Sequence, residues 1–306
     1  MAVPRARPHL LRPHKKLRCG KFELSLERPL VMGVVNVTPD SFSDGGRFFK
    51  AKLAIAHARK LAREGADIID IGGESTRPGA APVSEQDELA RVLPVLQELG
   101  DLCVSVDTRR PAVMRAVLEA GASMINDVDA LGAPGALEAV AKTSCAVCLM
   151  HKKGDPATMQ QDPHYDDVVS DVRRFLAERI FACEMSGIDK KRIVVDPGFG
   201  FGKTLEHNLA LLRALDQFAA LGVPLLAGLS RKGMIGTLTG RESHADRAAG
   251  SAAAALLAVQ KGAAIVRVHD VAATRDALAV WQGVAGGIMP AKKAQKPFGS
   301  QRFEDD

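Results

Sequence analysis

The sequence lacks any stretch long and apolar enough to cross a membrane as a helix. Its longest apolar run, residues 252–268, is mostly alanine and is interrupted by Gln260, Lys261 and Arg267, where a span needs ~20 predominantly apolar residues. The N-terminus has charge but no uninterrupted apolar segment leading to a small-residue cleavage site, so cytoplasm is the expected compartment. Cysteine is scarce. Cys19, Cys103, Cys145, Cys148 and Cys183 make an odd five in 306 residues, which argues for reduced thiols over a disulfide framework. Cys145 and Cys148 have the spacing of a redox motif, but they fall in a predicted strand, where residues three apart face opposite sides; no redox or metal chemistry is expected there. No internal repeat or low-complexity tract is present.

Basic charge is also missing where a nucleic acid would need it. The net charge is +5, yet residues 1–21 hold seven basic residues and no acid, and residues 287–306 hold four basic against three acidic, leaving the body at −3. A duplex-binding face requires its cations on the folded surface, so the basic end reads as a solubilising extension and no nucleic-acid partner is expected.

What is present is a globular composition, 46% hydrophobic and 25% charged with 28 glycines, in a repeating order. Short runs rich in β-branched residues at 30–37, 67–73, 103–108, 124–128, 146–151, 193–196, 223–230 and 264–269 each end in a Gly/Pro/Asp-rich turn. Segments of helical period follow at 50–64, 84–99, 111–120, 165–185, 204–215, 244–261 and 271–282, with a short one at 135–142. Continuous apolar runs mark strands buried on both faces, hence a parallel sheet. Eight βα units predict an α/β protein of the (β/α)8 TIM-barrel type. A doubly wound open sheet is disfavoured, because no Gly-rich turn follows Val37. Residues 18–27 alternate as a small hairpin plugging the barrel floor. The predicted organisation is a flexible basic extension at 1–17, the barrel at 18–287 and a flexible tail at 288–306.

Nearly every predicted strand ends in residues that a core rejects: Asn36; Glu74, Ser75, Thr76 and Arg77; Asp107; Asn126 and Asp127; His151; Asp196; Ser230, Arg231 and Lys232; Arg267, His269 and Asp270. Parallel barrel strands bring such positions to one rim, the C-terminal face, where barrel enzymes do their chemistry. Asp107, Asn126 and Asp196 suit a flat heterocycle with ring N–H, amino and carbonyl groups. Arg267, His269, Lys232 and Thr76 suit phosphate oxygens. Asn36 offers a neutral oxygen to a Mg2+ that a diphosphate also binds. The GFGFGKT segment at 198–204 is not a nucleotide loop, since its first glycine is one residue too close to Gly202; it reads as a tight turn with Phe199 or Phe201 leaning over the site.

Longer strings carry a resemblance: MGVVNVTPDSFSDGG at 32–46, DIGGESTRPGA at 70–80, SVDT at 105–108, INDV at 125–128, MH at 150–151 with TMQ at 158–160, DPGFGFGK at 196–203, LSRK at 229–232 and RVHD at 267–270. Along residues 18–286 the chain resembles the dihydropteroate synthases, pterin-binding barrels of folate biosynthesis that are usually homodimers. The resemblance implies a transferase that joins 6-hydroxymethyl-7,8-dihydropterin diphosphate to 4-aminobenzoate with Mg2+ and loss of pyrophosphate, and a target of sulfonamide mimics. It implies that Asp107, Asn126, Asp196 and Lys232 hold the pterin and that Thr76, Arg267 and His269, with Asn36 on Mg2+, hold the phosphates. Loop residues Phe42, Asp44, Arg77 and Pro78 would close over the substrate. Phe42 and Pro78, with Phe201 and Ser230, would line the aminobenzoate pocket, and Asp107, Asp196, Lys232, Asp44 and Arg77 would serve the chemistry. The sequence departs from many members in having Gly233 after the SRK lysine, where serine is common, and MHKKG at 150–154. Two alternatives share the pterin contacts: a barrel that passes a methyl group from methyltetrahydrofolate to a corrinoid protein, and a non-catalytic pterin-binding paralogue.

Overall fold

A computed structural model describes residues 15–37, 47–74, 83–155 and 158–285. An antiparallel hairpin, β1 (Lys16–Cys19) and β2 (Phe22–Ser25), precedes the barrel. It starts two residues earlier than the sequence pattern suggests. The barrel strands are β3 (Leu30–Asn36), β4 (Ile68–Gly72), β5 (Val104–Asp107), β6 (Met124–Asp127), β7 (Ala146–Met150), β8 (Ile193–Asp196), β9 (Leu226–Ala227) and β10 (Ile265–Val268). They form one parallel sheet in the order β8-β7-β6-β5-β4-β3-β10-β9. A parallel bridge between Val195 and Leu225 joins β8 to the chain entering β9 and closes the circle. The eight parallel strands are those of a TIM barrel.

The helices are α1 (Arg47–Arg63), α2 (Glu85–Glu98), α3 (Pro111–Glu119), α4 (Ala136–Ala141), α5 (Val168–Met185), α6 (Leu205–Arg213), α7 (Gly233–Thr239), α8 (Ala248–Gln260) and α9 (Val271–Val284). Ser84 caps α2 by accepting from Asp87 N, Pro111 opens α3 where its missing N–H costs nothing, and Thr204 with His207 forms a capping box on α6. Two expectations need correction. The helix expected over 244–261 is a 3-10 turn, His244–Arg247, followed by α8; at the junction the Arg247 guanidinium donates to the Arg231, Arg241 and Glu242 carbonyls, which ties the turn back onto the preceding segment. The strand expected over 223–230 is regular only at Leu226–Ala227, with the single Leu225 bridge to Val195 ahead of it. Pro224 there has no N–H to give a ladder, and its carbonyl accepts from Val195 N at 3.0 Å.

Period two along each strand sorts the side chains. Val31, Val35, Ile69, Ile71, Val104, Val106, Val147 and Leu149 face outward into the layer shared with the helices. Met32, Ile68, Cys103, Met124, Cys148, Val194, Leu226 and Ile265 face inward at the floor, and Leu17, Cys19 and Leu26 from the hairpin segment pack against them. The hairpin is thus the floor plug. Cys145 lies in the outer layer and Cys148 in the inner one, as strand alternation requires. All five cysteines are buried and free. Among the described residues no helix is long and apolar enough to cross a membrane.

Candidate active site at the C-terminal mouth

One and two rungs above the apolar floor, the inward positions turn polar. Strand register sets Asn36 beside Gly72, Gly72 beside Asp107, and Asp107 beside Asn126. Asp70, one residue pair deeper on β4, is flanked by Val34 and Ser105. From the far side, Arg267 on β10 reaches across: its Nε donates to Asp70 Oδ2 at 2.6 Å and its Nη2 to Asp107 Oδ2 at 2.9 Å. Asn126 Nδ2 donates to the same Asp70 oxygen at 3.2 Å, so the Asn126 amide has its nitrogen turned toward the floor.

Two carboxylates therefore share one guanidinium. Burial pushes the Asp107 carboxyl up to about 7; Arg267 opposes the rise and the neighbouring Asp70 adds to it. Arg267 loses hydration by burial, but Asp70 and Asp107 together hold it more firmly protonated than usual. Asp196 ends β8 and is raised by burial, with Lys232 opposing, while its Oδ1 accepts from Gly198 N at 2.7 Å. Burial brings Lys232 down to about 8 against the pull of Asp196. Its ammonium donates to the Phe199 carbonyl and stands 4.5 Å from the centre of the Phe201 ring. Ser230 Oγ pairs with His269 Nδ1 at 3.0 Å and accepts from His269 N at 3.1 Å, tying the ends of the last two strands together.

Of the residues singled out from sequence, Asn36, Asp107, Asn126, Asp196, Phe201, Ser230, Lys232, Arg267 and His269 converge on this mouth. Phe42, Asp44, Thr76, Arg77 and Pro78 lie outside the described residues. Arg110 fastens the two described residues that flank 75–82: it binds Glu74 through both oxygens at 2.9 Å and the Val83 carbonyl at 2.6 Å. Phe199 is fully buried in the outer core, which leaves Phe201 as the ring at the site.

Some strand-end residues do not belong to the mouth. Asp127 follows Asn126 and so points to the opposite face, where its two oxygens accept from Asp129 N and Leu131 N at 2.8 Å each and hold a turn with left-handed Ala130 and Leu131. Arg231 and Asp270 pair with each other at 2.6 Å. Sequence reading missed Asp70, fully buried inside an otherwise apolar strand; a lone acid among Ile68, Ile69 and Ile71, in phase with inward Gly72, is the signal that could have revealed it.

The GFGFGK turn is built on glycine for a steric reason. Gly198 and Gly202 have φ of +69° and +62°, and a Cβ on them would lie 1.8 Å from the His151 carbonyl oxygen and 2.1 Å from that of Lys153. No other residue fits.

A parallel barrel whose strand ends gather buried carboxylates, an amide and two cations at one mouth is the architecture of a barrel enzyme with its active site at the C-terminal face. Residues 32–269 match the family described as pterin binding enzyme. The chain is 51% identical to the dihydropteroate synthase of Haemophilus influenzae over 273 residues, covering 88% of this chain and 99% of that one. Its structure is similar to those of Xanthomonas albilineans dihydropteroate synthase with 4-aminobenzoic acid (59% identity, TM-score 0.84, 88% and 98% of the two chains) and with 7,8-dihydropteroate (53%, 0.79, 89% and 98%). The chain belongs to the dihydropteroate synthase family.

Proposed function

We propose that this chain joins 6-hydroxymethyl-7,8-dihydropterin diphosphate to 4-aminobenzoate, forming 7,8-dihydropteroate and releasing pyrophosphate. The observation that carries the reading is the convergence of Asp107, Asn126 and Asp196 with Lys232, Arg267 and His269 on one barrel mouth.

The residue types suit an ionising substitution. The bond between the pterin methylene carbon and the diphosphate oxygen breaks, its electron pair leaving with the diphosphate. The cation that remains is spread over the pterin ring, and the buried carboxylates Asp107 and Asp196 stabilise it in a water-poor site. Arg267 and His269 receive the charge of the departing group. The amine nitrogen of 4-aminobenzoate then forms the new C–N bond and gives up a proton to water or to the released pyrophosphate. No nucleophilic side chain is needed, and the Ser230–His269 bond is read as positioning.

Magnesium, when bound, neutralises charge on the departing diphosphate. Asn36, at the end of β3 beside Gly72, fits a metal that the diphosphate and water hold in the main, since it offers one neutral oxygen. Exposed Leu257 on α8 and Val280 and Val284 on α9, two helices packed on each other, support a homodimer. Five free thiols support a reducing, cytoplasmic setting.

Purified chain, supplied with both substrates and Mg2+, is expected to release pyrophosphate and form dihydropteroate, with Lys232→Ala slower by at least ~100-fold. Pterin binding without turnover would identify a non-catalytic paralogue, and a wild-type rate in Lys232→Ala would remove that residue from the site. A corrinoid methyl transfer has no use for the Lys232 and Arg267 cations or for His269 beside them.

A further inference from the structure

The lysine that ends the GFGFGK string has no part in the reaction described above, yet it is 3% exposed. Its amino group donates to the Gly198 and Phe201 carbonyls at 3.0 Å each, and it faces His151 Nδ1 at 2.9 Å and the His151 carbonyl at 3.5 Å. Every one of these partners is neutral. Burial brings the His151 imidazole down to about 3, with the Lys203 charge adding to the effect, so the ring stands neutral beside the lysine. Burial, then the charge of Lys232, lowers Lys203 itself to about 7.

A buried amine is a costly way to fill space, and a methionine would fill it without desolvating a cation. The amine does what a methionine cannot: it grips two carbonyls of a turn that contains three left-handed glycines, Gly198, Gly200 and Gly202, a composition with much freedom to lose on ordering. The same turn meets Lys232 on its other side, through the Phe199 carbonyl and the Phe201 ring. Lys203 and Lys232 thus hold one short loop from inside and from the mouth.

We propose that Lys203 is a positioning residue: by holding the Gly198 and Phe201 carbonyls from within, it sets where Phe201 and the Phe199 carbonyl stand against Lys232, and so how the pocket receives the aromatic amine. This rests on the reading of the site given above.

Lys203→Met keeps the chain length and removes the donors. The KM for 4-aminobenzoate should rise roughly tenfold or more, within the ~100-fold that a ~1 Å misplacement of a positioned group can cost. The KM for the pterin diphosphate should rise less, because Asp107, Asn126, Asp196 and Arg267 are untouched, and the thermal midpoint should hold or increase. Both KM values within about twofold of the unaltered chain, or an equal rise in both with a lowered midpoint, would overturn the proposal. Should Lys203→Met not fold, His151→Leu removes the imidazole acceptor alone and is expected to shift the amine KM in the same direction by less; no shift there overturns it too. Turnover of the unaltered chain, run alongside, separates the two ideas. Its absence sinks the reaction, whereas its presence with an unmoved amine KM sinks the staple.

Discussion

Replacing Asp70 tests how the two halves of the site are joined. Its Oδ2 accepts from both Arg267 Nε and Asn126 Nδ2, so a single acceptor oxygen fixes a phosphate-side cation and a ring-side amide. Asp70→Asn can keep an oxygen in that place and removes only the charge, whereas Asp70→Ala removes both. Losing one partner of a buried ion pair costs ~3–5 kcal/mol, and a hydrogen bond to a charged group is worth ~1.5–3 kcal/mol. Here Asp107 remains 2.9 Å from Arg267 and is relieved of its repulsion from Asp70, which favours the lower end. We expect Asp70→Ala to lose ~3 kcal/mol in urea unfolding and ~100-fold in kcat/KM for the pterin diphosphate, and Asp70→Asn ~1 kcal/mol and less than ~10-fold. The Asn variant should also move the acid limb of the pH profile downward, because Asp70 is one of the charges that raise Asp107. If both variants unfold and turn over like the unaltered chain, Asp70 does not organise the site and the reasoning fails.

The kcat/KM profile should be a narrow bell. Below pH about 7 Asp107 takes up a proton and loses an acceptor, and above pH about 8 Lys232 loses its charge; a rate flat from pH 6 to 9 contradicts the role of both groups. Gly198→Ala forces a side chain onto the His151 carbonyl at a left-handed φ, and a fall of at least ~2 kcal/mol in stability is expected. An unchanged melting curve there would mean that the turn has room the geometry denies.

Much of the barrel was legible because burial on both faces leaves a simple mark: apolar runs such as Leu30–Asn36 and Ile193–Asp196, each closed by a polar residue. Residue type at a strand end shows that a side chain is unsuited to the core, but not which face it takes. Asn126 and Asp127 looked alike in sequence; the pleat sends the first into the mouth and the second to a turn outside. Helix α7 went unseen because Gly233–Thr239 has two glycines and two threonines in seven residues, poor local material that packing against α8 makes helical.

Local periodicity and the chemistry of strand ends determined the βα repeat, the single rim and the acceptors and cations gathered there, because those depend on neighbours along the chain. Contacts between residues far apart were decided only by tertiary structure: the sharing of Arg267 by Asp70 and Asp107, the Asn126 amide turned to the floor, and Lys203 meeting His151 under the loop that carries Phe201. Arg267 stands 197 and 160 positions from its two partners. A distance of that kind leaves no local pattern, and only closure of the barrel brings such groups within the few ångströms at which charge and hydrogen bonding act.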